Sequence, residues 1–172
     1  MPSLSVLISA DRIRTRISEL AAEIDRDLPK GPVYLVGVLK GSCFFLTDLA
    51  RAMKTPARID FVGTSSYGQS QTSSGEVKLT HDLSTPIEGR DVILVEDIVD
   101  TGVTLQYLTR LFAQRNPRSL RVAVFLDKPD RRTTDVRIDY RGFEIPDKFV
   151  VGYGLDFAED YRNLPAVHVL DG

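Results

Sequence analysis

Two adjacent carboxylates, Glu96 and Asp97, stand directly behind the apolar run Val92 to Val95, and a third, Asp100, follows three residues on, before Thr101, Gly102, Val103 and Thr104. An unbroken apolar run of this kind is the pattern of a strand buried on both faces of a parallel sheet. In open α/β sheets, ligands bind at the carboxyl ends of the strands, where loops meet helix starts. A helix start offers free N–H donors and a partial positive charge, so it attracts anions. Gly102 lets backbone amides come close to such an anion, and the hydroxyls of Thr101 and Thr104 add donors without adding charge. The loop therefore suits a phosphate monoester. Two neighbouring carboxylates at a buried strand end repel each other and lose solvation unless hydroxyls, cations or water meet them, and a sugar diol is a natural partner. Taken alone, a strand with a solvated acidic turn would explain a few of these residues. The whole arrangement from Val92 to Leu105 favours a ligand site.

The flanking sequence supplies the elements that must position these groups. Asp11 is expected to cap a helix carrying Ile13, Ile17, Leu20, Ala21, Ile24 and Leu28 on one face and ending at Gly31 and Pro32. Val33 to Val38 reads as a buried strand, followed by Leu39-Lys40-Gly41-Ser42 and a helix turning Phe45, Leu46, Leu49 and Met53 inward. This repeats the strand, loop, helix order, so Lys40 and Gly41 are candidates for a second phosphate group; a solvated lysine in a turn is the plainer alternative. Arg58 to Val62 alternates as a strand, and residues 63–80 then become rich in Ser, Thr, Gly and Gln. A segment this long and polar is either a passive loop or a working lid, with Ser66 and Tyr67 near its start. Glu88-Gly89-Arg90 forms a charged turn before the central strand. Leu105, Leu108, Leu111 and Phe112 then give helical spacing up to Asn116-Pro117, and Leu120 to Leu126 reads as another buried strand. Strand, helix, strand alternation predicts a parallel sheet with right-handed crossovers. The aromatic ahead of Val150-Val151-Gly152-Tyr153 reads on its own either as core or as a stacking platform.

Composition narrows the classes. A chain of 172 residues, 42% hydrophobic and 27% charged, suits one α/β domain. A net charge of −2 gives no general attraction to nucleic acid or to an acidic membrane. One cysteine, Cys43, excludes an internal disulfide and is expected to pack at the start of a helix; His81 and His168 are too few for a zinc cage. No leader and no apolar run of membrane-spanning length is read, so a cytoplasmic location is expected.

The acidic pair, two apolar residues and Asp-Thr-Gly-x-Thr resemble the phosphoribosyl pyrophosphate (PRPP) loop of the type I phosphoribosyltransferases. LKGS at 39–42, SSY at 65–67, HDLS at 81–84, VEDIVDTG at 95–102, DKPDRR at 127–132 and FEIPDKFVVGYGLD at 143–156 resemble, more narrowly, the bacterial hypoxanthine-guanine phosphoribosyltransferases. The resemblance runs from about residue 33 to Leu164. It implies an α/β fold with a mainly parallel central sheet flanked by helices, a small hood mainly from residues 140–172 and a flexible lid at about 64–80, all in one domain spanning 1–172. It implies transfer of a phosphoribosyl group from PRPP to a 6-oxopurine, giving IMP or GMP and pyrophosphate, with Mg2+, in a homodimer or homotetramer.

The same resemblance assigns roles. Lys40 and Gly41 match the pyrophosphate loop, in which a non-proline cis peptide is common. Glu96 and Asp97 match the pair that meets the ribose hydroxyls, and with Asp156 the residues near the metal. Asp100 matches the catalytic acid beside the purine imidazole ring. Asp100, Thr101, Gly102, Val103 and Thr104 match the 5′-phosphate cradle, Val103 contributing its amide. Lys128 matches the donor to the 6-oxo group, Phe149 the stacking aromatic and Val150 the backbone contact beside it. Arg162 matches a pyrophosphate contact, and Ser66 with Tyr67 the closing lid. A xanthine-preferring enzyme and an RNA-binding regulator on the same fold are the alternatives; the second would need a basic face.

Overall fold

Segments that are apolar without interruption occupy the middle of one sheet, and those that mix polar and apolar residues lie at edges or outside it. The computed structural model describes residues 2–66 and 76–172. In chain order these form β1 (Ser3–Ile8), α1 (Ala10–Asp27), β2 (Val33–Val38), α2 (Cys43–Ala52), β3 (Ala57–Ser66), β4 (Val77–His81), β5 (Asp91–Val99), α3 (Val103–Ala113), β6 (Ser119–Asp127), a 3₁₀ turn (Pro129–Arg131), β7 (Tyr140–Glu144), β8 (Val150–Val151) and β9 (Val167–Asp171). Six strands make the main sheet in the order β4-β3-β2-β5-β6-β7. All its neighbours are parallel except β3 and β4. The mainly parallel sheet flanked by helices is therefore as expected.

Residue alternation along β5 divides the core. Ile93 and Val95 point to the side covered by α1 and α2, where they meet Leu20, Ile24, Phe45 and Leu49. Val92 and Leu94 point to the other side, against Leu105, Leu108 and Phe112 of α3. A second sheet, β1-β9-β8, is antiparallel throughout. It unites the beginning of the chain with its end, Ser3 lying opposite Asp171 and Val150 opposite Val169. The 140–172 segment thus divides: β7 joins the main sheet, while β8 and β9 form the second sheet with β1. Among the described residues no helix is long and apolar enough to cross a membrane.

Several local expectations change. α1 is capped by Ser9, whose hydroxyl accepts from Arg12 N–H at 3.2 Å, while Asp11 lies in the first turn and pairs with Arg14. The helix closes at Asp27, with Leu28 N–H bonded to Ile24, rather than running to Gly31. Cys43 is exposed, because Phe45, Leu46 and Leu49 take the inward face of α2. Met53 is the helix cap and only partly buried. α3 stops at Ala113, and Asn116 adopts a left-handed φ of 55°. The polar stretch at 63–80 is a strand at both ends: Thr64 pairs with Leu79 and Ser65 with Lys78. An edge ladder needs backbone donors and acceptors, and polar side chains leave those available. Tyr67 and the middle of the expected lid lie outside the described residues.

Candidate functional site

The acid pair lies inside β5, not beyond it. Pairing of β2 with β5 ends at Gly37 and Val95, whereas pairing of β5 with β6 continues to Val99 and Asp127. One edge of β5 is thus free from Glu96 onward, and the turn after β2 faces it. Gly41 sits so close that a Cβ there would lie 1.8 Å from Asp97 Oδ2. The Leu39–Lys40 peptide of this turn is cis. Glu96 is 6% exposed. Burial, and then the neighbouring Asp97 carboxylate, push Glu96 well above the ordinary range. Burial raises Asp97 as well, opposed by the Ile98 N–H that donates to its Oδ1 at 2.8 Å. Two carboxyls in this state are matched by a cation or by hydroxyl donors.

The chain then turns through Asp100 and Thr101 to Gly102, which caps α3 with φ 91°. Residues 128–134 brace this loop from below. Lys128 N–H donates to Val99 O at 3.0 Å, Thr133 N–H to Thr101 O at 3.0 Å, and a Cβ on Gly102 would stand 3.1 Å from Thr134 O. Arg132 pairs with buried Asp127, which Arg141 also reaches at 2.8 Å. The result is a cleft of about 340 Å³ lined by Lys40, Gly41, Glu96, Asp97, Asp100, Thr101, Gly102, Thr104, Asp156 and Arg162. Thr64 from β3 joins them. Val103, Lys128, Phe149 and Val150 do not line this cleft, and Ser66 is the last residue of β3.

Charges of alternating sign run from the loop before α3 to the segment between β7 and β8. Arg131 Nε donates to Asp100 Oδ1 at 2.8 Å, and its guanidinium lies 3.8 Å from Asp147 Oδ2. Asp147 Oδ1 is 4.0 Å from the ammonium of Lys128, a residue buried to 8% exposure. Phe149 is 52% exposed, standing edge-on to Phe157 at 5.8 Å, so it is free for stacking rather than part of the core. Val150 is buried in β8.

At the opposite end Arg162 donates to Gly154 O at 2.7 Å and lies 3.3 Å from both Asp156 Oδ1 and Glu159 Oε1. Its Nε is buried without a partner among the described residues. Glu159 also accepts from Lys40 Nζ at 3.0 Å, and this contact holds its carboxyl below the usual range. Glu159, Arg131 and Asp147 were not singled out by the sequence. Arg131 and Asp147 lie within motifs quoted for other residues. Glu159 reaches Lys40 through left-handed backbone at Ala158, Glu159 and Tyr161, which nothing in the local sequence announces.

Glu96, Asp97 and Asp156 were expected to share a metal. Among the described residues no group of three or more such side chains gathers to hold one. Asp156 is engaged by Arg162 and by Glu159 N–H. The donors fit a hard cation of the Mg2+ kind only in the open manner, through one or two carboxylates and oxygens of the substrate.

A family model described as "Phosphoribosyl transferase domain" matches residues 9–158. The chain is 48% identical over 165 residues to the hypoxanthine-guanine phosphoribosyltransferase of Bacillus subtilis, covering 96% of this chain and 92% of that protein. It is 49% identical over 173 residues to the protein of the same name from Mycobacterium tuberculosis H37Rv, covering 97% and 86%. A crystal structure of a hypoxanthine-guanine phosphoribosyltransferase from Bacillus anthracis superposes with a TM-score of 0.92 at 44% identity, covering 96% of this chain and 97% of that one.

Proposed function

The chain belongs to the phosphoribosyltransferase family, and from that premise we infer how its cleft works. It is a purine-salvage enzyme that moves the 5-phosphoribosyl group of PRPP onto a 6-oxopurine, hypoxanthine or guanine, with IMP or GMP and pyrophosphate as products. The observation that carries the site reading is the meeting, in one cleft, of the Glu96–Asp97 pair, the left-handed Gly102 loop at the start of α3, and Arg162.

In this reading Thr101, Gly102, Val103 and Thr104 hold the 5′-phosphate with backbone amides and hydroxyls. Glu96 and Asp97 meet the ribose hydroxyls. Lys40, Gly41 and Arg162 receive the pyrophosphate, Lys40 and Arg162 leaving Glu159 as they do so. Phe149 stacks on the base beside the backbone of Val150, and Lys128 donates to its 6-oxo oxygen. An ammonium can donate to a carbonyl but cannot accept from an amine, so Lys128 selects against adenine. Asp100 accepts the imidazole proton as the ring nitrogen attacks. The sugar carbon passes through an oxocarbenium-like state, so catalysis rests on holding both partners and on stabilising charge that develops on the leaving group. Mg2+, held by one or two of the carboxylates Glu96, Asp97 and Asp156 together with substrate oxygens, would supply part of that neutralisation. Closure of the 64–80 segment, Ser66 and Tyr67 included, would exclude water. A homodimer or homotetramer in the cytoplasm, built from one catalytic domain over 1–172, completes the reading.

The deciding experiment incubates the purified chain with PRPP, Mg2+ and hypoxanthine, guanine, xanthine or adenine in turn, following nucleotide and pyrophosphate. Turnover with hypoxanthine or guanine above the other two is the expected result. Preference for xanthine would replace the base assignment, and preference for adenine would remove Lys128 from its role.

A further inference from the structure

We propose that Arg131 is a positioning residue for the proton acceptor: it holds one oxygen of Asp100 so that the other faces the purine imidazole ring. This rests on the reading of Asp100 given above. The contact at 2.8 Å uses Arg131 Nε and Asp100 Oδ1, which leaves Oδ2 for the substrate. The opposite end of the same guanidinium lies 3.8 Å from Asp147, which lies 4.0 Å from Lys128. Arg131 therefore spans the interval between the group that meets the imidazole ring and the group that meets the 6-oxo oxygen.

The backbone that carries it is fixed. Pro129 opens the 3₁₀ turn, Arg131 N–H donates to Lys128 O at 3.2 Å, and the neighbouring Arg132 is tied to buried Asp127. Asp100 and Arg131 are both about half exposed, at 44% and 48% of their side chains, so solvent screens the pair and it contributes little to folding. Its geometric consequence is larger than its energetic one. As the bond from the purine nitrogen to C1′ forms, the C1′–O bond breaks and its electrons leave with pyrophosphate. The imidazole proton passes to Oδ2 of Asp100, while the guanidinium keeps its own protons throughout. A carboxylate free to rotate would spend part of its time with neither oxygen aligned.

The test compares wild type, R131M, R131K, D100N and R131M/D100N at saturating PRPP, with thermal midpoints measured alongside. Expected are a roughly tenfold lower kcat in R131M, an unchanged PRPP KM, an unchanged midpoint and partial recovery in R131K. In the D100N background R131M should add nothing, because Arg131 acts through the missing carboxylate. Wild-type kcat in R131M, a raised kcat, or an equal further loss on top of D100N would each overturn the proposal. Wild-type turnover in D100N would instead overturn the proton-acceptor reading itself, a separate outcome visible in the single variant.

Discussion

Gly41 is the residue at which the site tolerates least change. Its missing Cβ makes room for Asp97, and any side chain would have to displace that carboxylate, since the clash reaches Asp97 Cγ at 2.7 Å as well as Oδ2. G41A should therefore lower kcat/KM for PRPP by roughly 10²-fold, with a much smaller change in purine KM. Equal losses for both substrates in steady-state kinetics would count against this. At this scale the sequence was legible where one short segment carries the chemistry, as from Glu96 to Thr104. It was legible only through family resemblance for residues distant in sequence, Lys40 and Arg162 in the cleft and Lys128 and Phe149 outside its lining. The ion pairs Lys40–Glu159 and Asp100–Arg131 span 119 and 31 residues, and no local pattern encodes such partners. Cys43 shows the opposite failure, since helical spacing gives the period of a helix more securely than the direction of its first residue.

At the scale of the element, β5 carries both core and chemistry, and the two make opposed demands. Glu96 continues a strand of fully buried apolar residues, so its carboxyl is lifted well above the ordinary glutamate value of 4.5 by desolvation and by Asp97. The folded state then holds a proton that the unfolded chain gives up. The stability linked to Glu96 is present below about pH 4.5 and is lost as pH rises through the raised native value. E96Q, which cannot ionise, should gain on the wild type as pH rises through that window in metal-free buffer. Calorimetric midpoints that keep a constant gap would contradict it. At the end of β6, Asp127 is 1% exposed and joins Arg132 to Arg141. D127N should cost about 3 kcal/mol, toward the low end for a broken buried pair because both arginines reach water, read as a lower denaturant midpoint. Elements built mostly from apolar residues were legible almost to the residue, as β2 and β6 show. β1 was missed although Leu4, Val6, Leu7 and Ile8 are apolar, because it is short and its partner β9 lies at the other end of the sequence. β4 was missed because a polar edge strand looks like a loop until its partner is known.

For the molecule as a whole, the alternation of apolar strands and amphipathic helices was enough to give a mainly parallel sheet with helices on both faces. The second sheet was not, because its strands come from opposite ends of the sequence and are short. Only β9 brings them together, pairing with β1 on one edge and β8 on the other. The backbone at Phe149 therefore depends on residues far from it in sequence: Leu170 N–H donates to Phe149 O at 3.0 Å, and Leu170 itself pairs with Leu4. That adjacency has a consequence for chain topology. With Ser3 beside Asp171, a brief glycine-rich bridge should join the two ends into a closed ring, which can be reopened at the exposed turn of Glu88 and Gly89. Such a circular permutant should retain turnover with both substrates, since every contact named around the cleft survives the new order of residues.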